Sequence, residues 1–213
     1  MYFLFAGKRQ RLFAGVNKAF PAECREDVAE VCNRLPGESY FRQKLLYCKE
    51  QTTWALSSGG SIQIPYRVYI SDCLDGMEEK LTTRQQIIYH CIFSRSYDGY
   101  VREKHIKALL EQSLPEWAMP YIIKICDEYV VEILQLVYDR LSNADCSQYR
   151  ALCSLNFDSV RLGHCRMISY WAEYYRSEWY RFRDYIGKKL YAECFGYRKT
   201  GQRAIQIGGK DSI

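Results

Sequence analysis

The chain has no run of about 18 apolar residues, the length a helix needs to cross the hydrocarbon of a bilayer, so no membrane span is expected. It also lacks the order of a secretory leader. The apolar stretch 2–6 precedes Lys8, Arg9 and Arg11, whereas a signal peptide places charge first and a small-residue cleavage site last. A cytoplasmic protein is the expectation. No phosphate-cradling loop of the G-x-x-x-x-G-K-[ST] or G-x-G-x-x-G kind is present. Neither is a G-x-S-x-G elbow or an H-E-x-x-H helix, and no cofactor is expected. There is no C-x-x-C pair, so zinc-finger and thioredoxin-type sites lose their main support.

What is present is the composition of a soluble globular chain: 213 residues, 48% hydrophobic and 26% charged. That length is ample for a real core. The 10 cysteines are scattered from Cys24 to Cys194. A disulfide framework belongs to short secreted chains that are poor in core residues, so these cysteines read as small buried apolar residues in a reducing compartment. The net charge of +5 gathers at the ends. Lys8, Arg9 and Arg11 stand at one end, and Arg198, Lys199, Arg203 and Lys210, against Asp211, at the other. The body is left close to neutral, which weakens a basic-stripe argument for nucleic acid. The 19 tyrosines are the remaining oddity.

Start and stop signals divide the chain into helices. Pro21 precedes Cys24, Val28, Val31, Cys32 and Leu35, spaced for one helical face, and Pro36-Gly37 ends that helix. A second helix is expected over 38–49, with Phe41, Leu45 and Cys48 inward. Residues 52–56 and 61–71 are β-favouring arms around Ser57-Ser58-Gly59-Gly60, which reads as a short hairpin with Pro65 in its second arm, the alternative being a loop with one short extended segment. From 82 onward the pattern is helical. Thr83 with Gln86 gives a capping-box start, and Asp98-Gly99 starts the next helix. A long apolar stretch over 116–142 is expected to break near Asp127-Glu128, a pair read as solvated. Helices are expected over 157–176 and 177–195, with Gly196 at the C-terminal glycine position. The fold class is therefore mainly α, in one domain over 1–196, with a basic Gly-containing tail over 197–213.

The segment 98–109, with Asp98, Val101, Arg102, Ala108 and Leu109, resembles the second helix of a HEAT-type repeat. His105 departs from that pattern, standing where a small residue is expected. The resemblance implies antiparallel helix pairs in a HEAT-like or α-solenoid-like array, with a flat or concave face for a partner. It implies no activity.

Two of the three histidines precede a cysteine, His90-Cys91 and His164-Cys165. A Cys–His nucleophile or a metal site requires distant segments to meet, because neighbours on one helix point about 100° apart. Cys91 and Cys165 both fall on expected core stripes, which favours packing. The segment 170–185 holds eight aromatics in sixteen residues. Helical projection separates a core stripe through Trp171, Tyr175, Trp179 and Phe182 from a face carrying Arg166, Tyr170, Tyr174, Arg181 and Lys188. Tyrosine and arginine are interface residues, and their interleaving also suits nucleobase stacking. The leading expectation is a non-enzymatic protein-binding helical module, with an inhibitor or immunity-type protein as one natural use by analogy, and with Arg166, Tyr170, Tyr174, Arg181 and Lys188 meeting a protein partner. The alternatives are a nucleic-acid binder using the same face, and a cysteine-dependent enzyme. The oligomeric state is left open.

Overall fold

The computed structural model describes residues 10, 12–35, 46–72, 76 and 78–197. The basic N-terminal stretch before residue 10, most of the expected helix 38–49 and the tail from 198 lie outside the described residues. Among those described, the protein is mainly α with one antiparallel two-strand hairpin.

Helix α1, Arg25–Arg34, is entered through a 3-10 turn, Ala22–Cys24, that follows Pro21. Cys24, Val28, Val31, Cys32 and Leu35 are all buried, as their spacing requires. Residues 46–50 are not helical. Tyr47 bridges Val68, the Cys48 N–H donates to the Arg67 carbonyl at 2.7 Å, and the Tyr69 N–H donates to the Leu46 carbonyl at 2.9 Å. This pairing extends the hairpin and overrides a weak helical propensity.

The hairpin joins β1, Gln51–Ala55, to β2, Ser61–Pro65, in a register that runs from Gln51 opposite Pro65 to Ala55 opposite Ser61. Gly59 and Gly60 take φ of 98° and 78° at its tip, the left-handed region that glycine enters without a Cβ penalty. Pro65 stands at the strand end, where its missing N–H removes little from the ladder. Trp54, Ile62 and Ile64 bury one face of the hairpin.

Helix α2, Thr83–Phe93, starts one residue earlier than the sequence suggests. Thr82 and Gln85 form its reciprocal capping box. Asp98 caps α3, Gly99–Leu110, accepting from the N–H groups of Tyr100 and Val101. The apolar stretch that follows splits as expected into α4, Met119–Ile125, and α5, Val131–Leu141. Helix α6, Ser147–Leu155, has no counterpart in the sequence reading. Its buried residues Tyr149, Leu152 and Cys153 give too short an apolar face to stand out.

Helix α7, Phe157–Tyr170, runs on into a π-turn, Trp171–Tyr175, and α8 spans Ile186–Glu193. One helix over 177–195 is not formed. The aromatic side chains fold this segment back instead: the Trp171 indole donates to the Trp179 carbonyl at 2.9 Å, and the rings of Tyr175 and Trp179 pack on Tyr185. Gly196 closes the end at φ 67°, and Tyr197 turns inward to pack on His164. Helices α1 and α2, α2 and α3, and α6 and α7 pack as chain neighbours, while α5 packs on α8 across the intervening pair. The hairpin meets α7 through β1.

Candidate partner-binding face over a buried charge cluster

The break between α4 and α5 carries two carboxylates into the interior. Asp127 and Glu128 are buried, not solvated. Glu128 accepts from Arg67 through both carboxylate oxygens, at 2.7 and 2.9 Å. Its Oε1 also lies 2.8 Å from Arg95 Nη2, and its Oε2 lies 2.9 Å from Arg102 Nε. The arginines are held in turn by main-chain carbonyls. Arg102 donates to those of Ser96 and Tyr97, and Arg95 to that of Tyr66. Asp127 receives Lys124 Nζ at 2.7 and 2.9 Å and Arg166 Nη1 at 3.0 Å. Adjacent residues thus tie the segments after β2 and α2, helix α3, helix α4 and helix α7 to one point. A charge buried this deeply is tolerable only when paired, which is why the pair's acidity, read from sequence as surface character, ends up inside.

Burial lowers Arg95 from its ordinary value, against the pull of Glu128. Burial likewise lowers Lys124 to about 8, helped by Arg95 and opposed by Asp127. For Arg166 burial works downward as well, but Asp127 outweighs it and the guanidinium is held above its ordinary range.

Tyrosines cover the α7 side of this cluster. Tyr170 and Tyr174 stack with ring centres 6.3 Å apart, and Tyr129 packs against both at 5.9 and 6.2 Å. Tyr129 is 49% and Tyr174 58% exposed. The Tyr175 hydroxyl donates to the Tyr129 carbonyl and pins the loop before α5 to the π-turn. Arg166, Tyr170 and Tyr174 therefore lie along one continuous stretch. Arg181 and Lys188 do not extend it, because the helix ends at the π-turn. Arg181 is exposed ahead of the 3-10 turn Phe182–Asp184, and Lys188 is half-buried on α8. Tyr129, which with Tyr97, Tyr100 and Tyr121 the sequence offers as a further part of the same surface or as a half-buried rim residue, reaches this face from another element. Its place at a helix turn was the sequence signal.

The histidine–cysteine arrangements do not form. His90 meets His105 Nδ1 to Nδ1 at 2.8 Å, and His105 Nε2 lies 3.2 Å from Asp72 Oδ1. The residue that breaks the HEAT-type pattern is thus the centre of a buried polar chain. Burial pushes the Cys91 thiol well up, and also Cys126 and Cys153. A buried, protonated thiol is a poor nucleophile. Cys165 departs from its expected core stripe and is exposed, while seven of the nine described cysteines are buried. Among the described residues no group of three or more His, Cys, Asp or Glu side chains could hold a metal ion, and no helix is long and apolar enough to cross a membrane.

Compared with models of known protein families, with curated proteins and with solved structures, the chain matches none.

Proposed function

We propose that the protein is a non-enzymatic binding module that docks a protein partner on the face formed by Tyr129, Tyr170 and Tyr174, with Arg166 at its edge. The observation that carries this reading is the tyrosine trio itself, with Tyr129 and Tyr174 exposed and Tyr170 half-buried, built from two separate elements over the buried charge cluster. Tyrosine offers large contact area at low entropy cost, and aromatic and arginine side chains dominate interface energetics. A pre-positioned patch loses less freedom on binding than a mobile one. The α2–α3 pair, with Asp98 capping and Arg102 inward, is where a HEAT-like or α-solenoid-like arrangement would be sought. Capping another protein, as an inhibitor or immunity-type protein does, is one use of such a face in the cytoplasm.

The test is affinity capture of partners from cells of the native host. The wild-type chain is compared with a Tyr129→Ser, Tyr174→Ser double variant whose fold is checked by circular dichroism. A partner recovered by the wild type and lost by the variant is expected. An identical set of captured proteins would remove this face from consideration.

A further inference from the structure

Between the hairpin and helices α4 and α7 lies a small cleft lined in part by Thr52, Trp54, Lys124, Asp127, Ser159 and Arg166. Its volume is about 20 Å³, room for roughly one water-sized atom. It is partly open, because Thr52, Ser159 and Arg166 are only half-buried. Its charged lining is two cations, Lys124 and Arg166, and one carboxylate, Asp127. Lys124 and Trp54 are both buried, and the Trp54 indole N–H has no acceptor among the described residues.

Charge gives the second observation. Five cations, Arg67, Arg95, Arg102, Lys124 and Arg166, converge on the two carboxylates of Asp127 and Glu128. Positive charge is left in excess around these carboxylates, where a buried unpaired charge is costly, and two of the five cations, Lys124 and Arg166, line the cleft. An unpartnered buried donor is costly too. One anionic oxygen in the cleft would meet both needs.

We propose that this cleft binds a phosphate-class oxyanion, one oxygen seated against Lys124 and the Trp54 indole N–H, the others held at the mouth by Arg166 and the hydroxyls of Thr52 and Ser159. Asp127 does not exclude it, because Lys124 and Arg166 already neutralise that carboxylate and the arginines behind Glu128 add further positive potential. The ligand is free inorganic phosphate or a phosphate monoester, which share this chemistry. The site stands on residues of β1, α4 and α7; it shares Arg166 with the edge of the tyrosine face but uses none of the tyrosines.

The test is calorimetric titration of the full chain with inorganic phosphate and with glycerol phosphate, each against sodium chloride at equal ionic strength. Saturable binding by either phosphate is expected. Preference for glycerol phosphate assigns a monoester, and its exclusion assigns the free ion. Trp54→Phe keeps the ring and removes the N–H, and Ser159→Ala is a mild change at a half-buried position. Each should weaken binding about tenfold, the usual effect of losing one hydrogen bond to a charged group. Sulfate, whose charge is constant, should bind about tenfold more weakly at pH 9 than at pH 7, as Lys124 loses its proton near pH 8. Heats equal to those of chloride, equal binding of acetate, or unchanged affinity in both variants would overturn the proposal.

Discussion

His90 and His105 face each other Nδ1 to Nδ1 at 2.8 Å in the interior, with Asp72 on the far side of His105. The contact requires one shared proton: one nitrogen donates and the other accepts. Burial lowers His90 to about 4, helped by the neighbouring His105 and Lys104. The unfolded chain therefore takes up a proton near pH 6.5, while folded His90 refuses it until about pH 4. Stability is expected to fall as pH drops through that window, by something on the order of 2–3 kcal/mol. Asp72 acts in the same direction at lower pH. Burial would raise it, but hydrogen bonds from His105, Lys104 and Tyr89 hold it well below its ordinary value. Its contribution is present above about pH 4 and is lost below. Urea unfolding from pH 7.5 to 4 checks this, and His90→Gln should flatten the upper part of the slope. A wild-type stability constant between pH 6.5 and 4 would contradict it.

The Glu128 cluster predicts a large and specific loss. Glu128→Gln leaves Arg67, Arg95 and Arg102 buried around an uncharged amide. Breaking such a pair costs about 3–5 kcal/mol. Glu30→Gln removes an exposed pair with Arg34, and such surface pairs contribute about 0–1 kcal/mol. Chemical denaturation of the two variants side by side should separate them clearly.

Gly163→Ala reverses the usual rule for helices. Alanine normally stabilises a helix interior over glycine by about 1 kcal/mol. At this position an added Cβ would lie 2.8 Å from the Tyr191 hydroxyl and 3.2 Å from Asp127 Cβ. A net loss of roughly 1–3 kcal/mol is expected from overpacking, measurable as a lower thermal midpoint. A gain would mean that α7 sits further from α8 and from the Asp127 turn than described.

Thiol mapping decides against or for nucleophilic chemistry. Cys165 is exposed, whereas Cys91, Cys126 and Cys153 are buried with their thiols raised. Among the described cysteines, alkylation of the native protein followed by peptide mass analysis should find Cys165 labelled first. Fast labelling of Cys91 would revive the cysteine-dependent reading.

Much of the fold was legible from local signals. Pro21 and the Cys24–Leu35 spacing mark α1, the Gly59-Gly60 pair marks the hairpin tip, and Asp98 marks the start of α3. These are contacts within a few residues of chain. The site was less legible because it is built at long range. Glu128 looked like half of a solvated acidic pair, and only the arrival of Arg67, Arg95 and Arg102 from other elements explains its burial. The periodicity of 170–185 was real in its aromatic content. It failed as a helix because those same aromatics pack on one another across the π-turn, which detaches Arg181 and Lys188 from the stretch bearing Tyr170 and Tyr174. The tyrosine surplus resolves the same way. Tyr89, Tyr121, Tyr185 and Tyr191 are core residues, whereas Tyr129 and Tyr174 are surface.

The most direct measurement is tyrosine nitration mapped by mass spectrometry in the free chain and in its complex with a captured partner. Tyr100 and Tyr180 are also strongly exposed and serve as internal references. Protection of Tyr129 and Tyr174 in the complex, with Tyr100 and Tyr180 still reactive, is the predicted result. Equal nitration of Tyr129 and Tyr174 with and without the partner would contradict the account.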